Sequence, residues 1–192
     1  MATGIVCRGY TGTVRMSEFL QQVAIGDDYL QLSLWQRTDA EALYQLIRDN
    51  RAHLRPWLGW IGELSDPAAC EEYIRQLQQA FIARRSFPCA VTYGGELMGF
   101  CGLDRINRFQ NKGRIGYWLT HSHQGKGLMM AACRMLLTHS FEVLGLDLVE
   151  CLVAEDNQRS RALCERLGLL LQAERLEENL RCYYVKREDY RD

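Results

Sequence analysis

Along the chain the apolar positions change period several times, and each change marks an element. Tyr29–Trp35 alternates, with Leu30, Leu32 and Leu34 on one side, and predicts a strand. Asp39–Asn50 then places Leu43, Leu46 and Ile47 at helical spacing. Asn50–Gly62 crowds Pro56, Trp57, Gly59, Trp60 and Gly62 together and predicts a short helical turn and loop. Ser65-Asp66-Pro67 reads as a helix start, a capping side chain ahead of a proline in the first turn. That helix runs to about Arg85, its apolar side built from Tyr73, Ile74, Leu77 and Phe81.

A meander follows. Phe87–Tyr93 and Glu96–Asp104 flank Gly94-Gly95, a two-residue hairpin signal, and Gly113–Thr120 is a third strand. Leu128, Ala131, Ala132, Met135, Leu136 and Val143 then mark one face of a helix of about 19 residues. Asp147–Ala154 predicts a strand, Asn157–Leu167 a short helix, and Leu169–Glu174 and Leu180–Arg187 two last strands. This order, with no internal repeat and no linker, predicts one α+β domain over residues 29–192. Residues 1–28 form an N-terminal extension without the basic start and apolar stretch of a signal peptide.

Composition narrows the class further. With 23 basic and 24 acidic residues among 192, no global field recruits nucleic acid or an anionic membrane. No run of about 18 apolar residues offers a membrane span. The eight cysteines contain no C-x-x-C pair, which excludes zinc-ribbon and thioredoxin-like motifs. Several lie in apolar runs, as small buried hydrophobes do, and the expectation is reduced thiols in a cytoplasm.

Chemistry concentrates where the third meander strand ends. There Gln124-Gly125-Lys126-Gly127 opens the long helix. Glycines let a ligand approach the backbone, and the first helical N–H groups have no intrahelical partner. With the helix dipole and Lys126, this predicts an anion site for a phosphate-bearing ligand. A P-loop is excluded because Gly127, not Ser or Thr, follows Lys126; a dinucleotide fingerprint is excluded because Met130 holds its third glycine position. His121 and His123 have no third candidate ligand nearby and read as loop residues, so no metal site is expected.

The loop resembles the pyrophosphate-binding motif of the GNAT superfamily of acetyl-CoA-dependent N-acetyltransferases, with Met129 where Gly or Ala is usual. Asn157-Gln-Arg-Ser-Arg-Ala-Leu-Cys-Glu-Arg-Leu-Gly168 resembles the family's second signature, 33 residues beyond Gln124. Asn50-Arg-Ala-His-Leu-Arg-Pro-Trp-Leu and Ile115-Gly-Tyr-Trp-Leu extend the likeness to the ribosomal-protein-serine/alanine N-acetyltransferase group, over about Tyr29 to Tyr190. The resemblance implies the GNAT fold, a mixed, mostly antiparallel twisted sheet of six to seven strands with about four flanking helices. It also implies direct acetyl transfer from acetyl-CoA to a primary amine, the N-terminal α-amino group of a ribosomal protein, with homodimers frequent among relatives.

Carried over position by position, the cofactor cradle is Gln124, Gly125, Lys126, Gly127 and Leu128, with Asn157 and Ser160 nearby. The backbone N–H of Leu119, with Thr120 beside it, would polarise the thioester carbonyl. Many members carry a Tyr seven residues after the motif Asn, where this chain has Cys164; the serine-acetylating group is thought to use the position of Ser160. Arg114 replaces the family's usual Glu, which leaves Glu178, its neighbour Glu177, or Asp104 as candidates for the base. His53, Arg55, Trp57 and Trp60 are expected to line the acceptor cleft. Acetylation of a small amine and a catalytically silent CoA-binding module are the alternative readings.

Overall fold

A computed structural model describes residues 20–173 and 179–191. Within them, eight strands form one sheet. They are β1 (Leu20–Ile25), β2 (Asp28–Leu34), β3 (Phe87–Tyr93), β4 (Glu96–Asn107), β5 (Lys112–Leu119), β6 (Leu148–Ala154), β7 (Leu170–Leu171) and β8 (Leu180–Lys186). Four helices flank it: α1 (Ala40–Leu54), α2 (Pro67–Ile82), α3 (Leu128–Glu142) and α4 (Gln158–Arg166). Across the sheet the order is β1-β2-β3-β4-β5-β6-β8-β7, and every neighbouring pair is antiparallel except β5–β6.

Both faces of the sheet are covered, which is why the central strands read as nearly continuous apolar runs. Cys89 and Val91 of β3 belong to the core around α3, while Ala90 between them belongs to the core around α1 and α2. On β5, Ile115 and Leu119 face the first core and Trp118 the second. Helix α3 is buried along most of its circumference, with eleven of its fifteen residues inaccessible. Helix α2 starts as the sequence predicts, with Asp66 Oδ1 accepting from the Ala69 N–H at 2.8 Å and proline in the first turn.

Four elements differ from the sequence expectation. The sheet begins before residue 29, because β1 pairs with β2 through a two-residue turn at Gly26 (φ 63°) and Asp27. Helix α1 continues past Asn50 to Leu54, where Pro56 stops it; no breaker precedes that proline, and buried Leu54 anchors the extra turn. Helix α3 has 15 residues rather than about 19, and of the strand expected over Leu169–Glu174 the described residues form only Leu170–Leu171, Glu174 lying outside them.

Candidate functional site

Strands β5 and β6 register only at Lys112, Gly113 and Arg114 against Leu148, Val149 and Glu150. The ion pair between Lys112 Nζ and Glu150 Oε1 (3.0 Å) fastens that end. Beyond it, among the described residues, the strands no longer pair, although β5 stays on β4 as far as Leu119. The Thr120 N–H donates to the Met98 carbonyl at 2.9 Å. Antiparallel ladders alternate, so Leu119, one residue earlier, turns its N–H and C=O the other way, toward the gap beside β6. The result is a cleft of about 1100 Å³, with Tyr117, Leu119, Gly127, Leu128, Asn157 and Ser160 among its lining residues.

The cradle at its mouth is a backbone structure. Gly125 and Gly127 have φ of 77° and 75°, and Gly127 is the residue from which α3 starts, with no side-chain cap. A Cβ on either glycine would meet no atom within 4 Å. Positive φ and open space above the backbone therefore coincide, with the first-turn N–H groups of α3 facing outward as anion donors. Lys126 is exposed and does not line the cleft wall itself. Across the cleft, the Asn157 side chain caps α4 by accepting from the Ser160 N–H at 3.1 Å.

Gln124 does more than mark the loop. Its Nε2 lies 2.8 Å from His53 Nε2, and its Oε1 accepts from Arg159 Nη1, so one amide ties the end of α1 to the start of α4. Burial lowers the His53 pKa, helped by nearby His121 and Arg159 and opposed by a hydrogen bond to the Leu119 backbone. A neutral ring is the form that can accept from Gln124.

Of the four acceptor-side candidates, His53 and Trp57 line the cleft. Arg55 is exposed outside that lining, and Trp60 turns away to stack on Tyr73 at 5.1 Å between ring centroids. Thr120 is buried, and its Oγ1 meets His123 Nδ1 at 2.8 Å; the His121 N–H donates to Asn50 Oδ1. Among the described residues, no cluster of three or more His, Cys, Asp or Glu could hold a metal ion. Cys164 is fully buried and lies outside the cleft lining. Asp104 sits opposite Arg114, five residues from Leu119 along β5, so about 16 Å of strand separates it from Leu119. Glu177 and Glu178 lie outside the described residues. Tyr117 and Arg159 were not foreseen; a tyrosine in mid-strand and an arginine in a helix's first turn carry no spacing signal of their own.

Residues 30–170 match the family model of the acetyltransferase (GNAT) domain. The chain belongs to the GNAT acetyltransferase family. YdaF of Bacillus subtilis (strain 168), carried under the name of a candidate ribosomal N-acetyltransferase, is 32% identical over 148 residues, covering 75% of this chain and 79% of that one. The ribosomal-protein-serine acetyltransferase of Escherichia coli (strain K12) is 28% identical over 168 residues, covering 84% and 85%. A solved structure of RimL, a ribosomal L7/L12 α-N-protein acetyltransferase in complex with coenzyme A, shares the fold. It has a TM-score of 0.78 and 22% identity, over 86% of this chain and 97% of the other. As a GNAT acetyltransferase, the chain has the mixed α+β sheet and four helices expected of it. No helix among the described residues is long and apolar enough to cross a membrane.

Proposed function

We propose that this acetyltransferase moves the acetyl group of acetyl-CoA onto the N-terminal α-amino group of a ribosomal protein, by direct attack in a ternary complex. The observation that carries the acetyl-CoA part is the opened β5–β6 seam leading onto a glycine-started α3. The acceptor rests on the printed names of the sequence relatives and on the resemblance of the Asn50–Leu58 segment. In this reading the N–H groups at the start of α3, with Gly125 and Gly127, hold the pyrophosphate. The pantetheine arm runs along the open edge of β5.

The thioester carbonyl then lies against the Leu119 N–H, which faces the gap and stabilises the oxyanion as the amine adds. A carbon–nitrogen bond forms, the carbon–sulfur bond breaks, and the departing thiolate is met by the Ser160 hydroxyl. Glu178 is the proposed base for the amine's proton. His53 and Trp57 present the acceptor from the α1 side of the cleft.

The test is calorimetric titration with acetyl-CoA and with CoA, followed by thiol release with a peptide bearing an N-terminal serine. Binding with turnover is expected. Binding without turnover on that peptide would overturn the acceptor assignment, and absence of binding would overturn the acetyl-CoA reading.

A further inference from the structure

Tyr117 stands in the middle of β5, two residues before Leu119, and shares its face of the strand. Its hydroxyl crosses the floor of the cleft to α4. It lies 2.9 Å from Ser160 Oγ, 3.3 Å from the Ser160 carbonyl oxygen and 3.4 Å from Cys164 Sγ. Two cleft-lining residues from opposite walls, Tyr117 and Ser160, therefore meet through their hydroxyl groups.

The chemistry around Tyr117 limits what it can do. Burial, with the thiols of Cys151, Cys164 and Cys133 close by, pushes its pKa far above the ordinary phenol value. The phenol stays protonated throughout the working range, so it keeps its one proton to donate and is not the group that gives up a proton; at 2.9 Å either of the two hydroxyls can donate to the other. Ser160 is differently placed. Its N–H is committed to Asn157 Oδ1, and its hydroxyl has one proton and two acceptor positions. When Tyr117 donates to Ser160 Oγ, the serine's own proton cannot point back along that contact. It is left for the cleft.

We infer that Tyr117 is a positioning residue that orients the Ser160 hydroxyl as a hydrogen-bond donor into the cleft, toward the sulfur that leaves the acetyl group. This inference rests on the acetyl-transfer reading above. In the step concerned the carbon–sulfur bond breaks and its electron pair goes to sulfur. The thiolate accepts a hydrogen bond from Ser160 and takes its proton from water, as the amine's proton passes out. Without the phenol, Ser160 still has its hydroxyl but loses the partner that sets its direction.

The experiment compares Tyr117→Phe, Ser160→Ala and the double variant by thiol release, with acetyl-CoA affinity by calorimetry and thermal unfolding alongside. Tyr117→Phe is expected to lower kcat about tenfold and leave the acetyl-CoA Kd within about twofold. The double variant is expected to be no slower than Ser160→Ala, because the phenol acts only through the serine. Losses that multiply in the double variant, or a Tyr117→Phe loss confined to KM or to unfolding temperature, would overturn the role. Cys164→Ala is the companion variant, since it removes another contact of the same phenol and spares Ser160. It is expected to retain kcat within about twofold, and a drop as large as that of Tyr117→Phe would assign the phenol to packing. If the wild-type chain releases no thiol on any amine, the acetyl-transfer reading falls and takes this role with it. Turnover by the wild type with multiplying losses removes the Tyr117 role alone.

Discussion

The two sides of the cleft are built by different means. On the side proposed for the acetyl donor the groups are backbone atoms: Gly125 and Gly127 at positive φ, the first N–H groups of α3, and Leu119 turned toward the gap. On the side proposed for the acceptor they are side chains set by packing, with His53 and Trp57 in the cleft while Trp60, three residues on, stacks on Tyr73. A backbone function demands glycine at particular positions and so leaves a mark in the sequence. A side-chain function draws on residue types that the core also uses, and only the fold separates the two uses.

The sharpest way to break this contrast is Gly127→Glu. A side chain at φ 75°, carrying negative charge into the space above the helix start, is expected to weaken acetyl-CoA binding by on the order of 1000-fold, ~4 kcal/mol. Retained affinity in calorimetry would show that the cradle is not a backbone device. Acid comes next. His139 is buried in α3 beside Phe87, with ring centroids 4.6 Å apart, and burial pushes its pKa down to about 4. The unfolded chain therefore binds more protons than the folded one between about pH 6.5 and pH 4. Stability is present above that window and is lost as pH falls through it, by about 3 kcal/mol. Denaturant titrations at pH 7, 5 and 4 read this directly, and a flat profile would contradict it.

On the acceptor side the effects are smaller and should divide. Trp60→Ala removes a ring from the α1–α2 core and is expected to cost about 2 kcal/mol of unfolding free energy, read by denaturant titration. Trp57→Ala should instead raise the acceptor KM about fivefold, ~1 kcal/mol, while the acetyl-CoA Kd stays within about twofold. If Trp60→Ala moved acceptor KM more than Trp57→Ala did, the division between packing and binding tryptophans would be reversed.

Much of the sheet was legible because strand alternation and turn chemistry agreed. Gly94-Gly95 makes the predicted turn with both φ positive, and Pro67 follows its Asp66 cap. Strand β1 was missed because Gln21, Gln22, Val23 and Ala24 give only a weak alternation, although Gly26-Asp27 is itself a hairpin signal. The last turn of α1 was missed because Pro56 and the two tryptophans drew the boundary too early, whereas the helix runs on to Leu54, two residues before the proline. Asp104 was a candidate by its place at a strand end, and only the register of β4 against β5 shows that it stands opposite Arg114, about 16 Å of strand from Leu119. Tyr117 was hidden by the opposite error, since an aromatic among apolar neighbours reads as core until its hydroxyl is seen to meet Ser160.

The three-residue seam between β5 and β6 has a further consequence for hydrogen exchange. Amides at Lys112–Arg114 lie where the two strands are paired, whereas the gap-facing amides of Tyr117 and Leu119 have no β6 carbonyl opposite them. In solvent deuterium the second group should label first, although both lie on one strand. An extended ligand in the gap would slow them selectively, so the pattern of protection along a single strand would report how far the bound arm reaches.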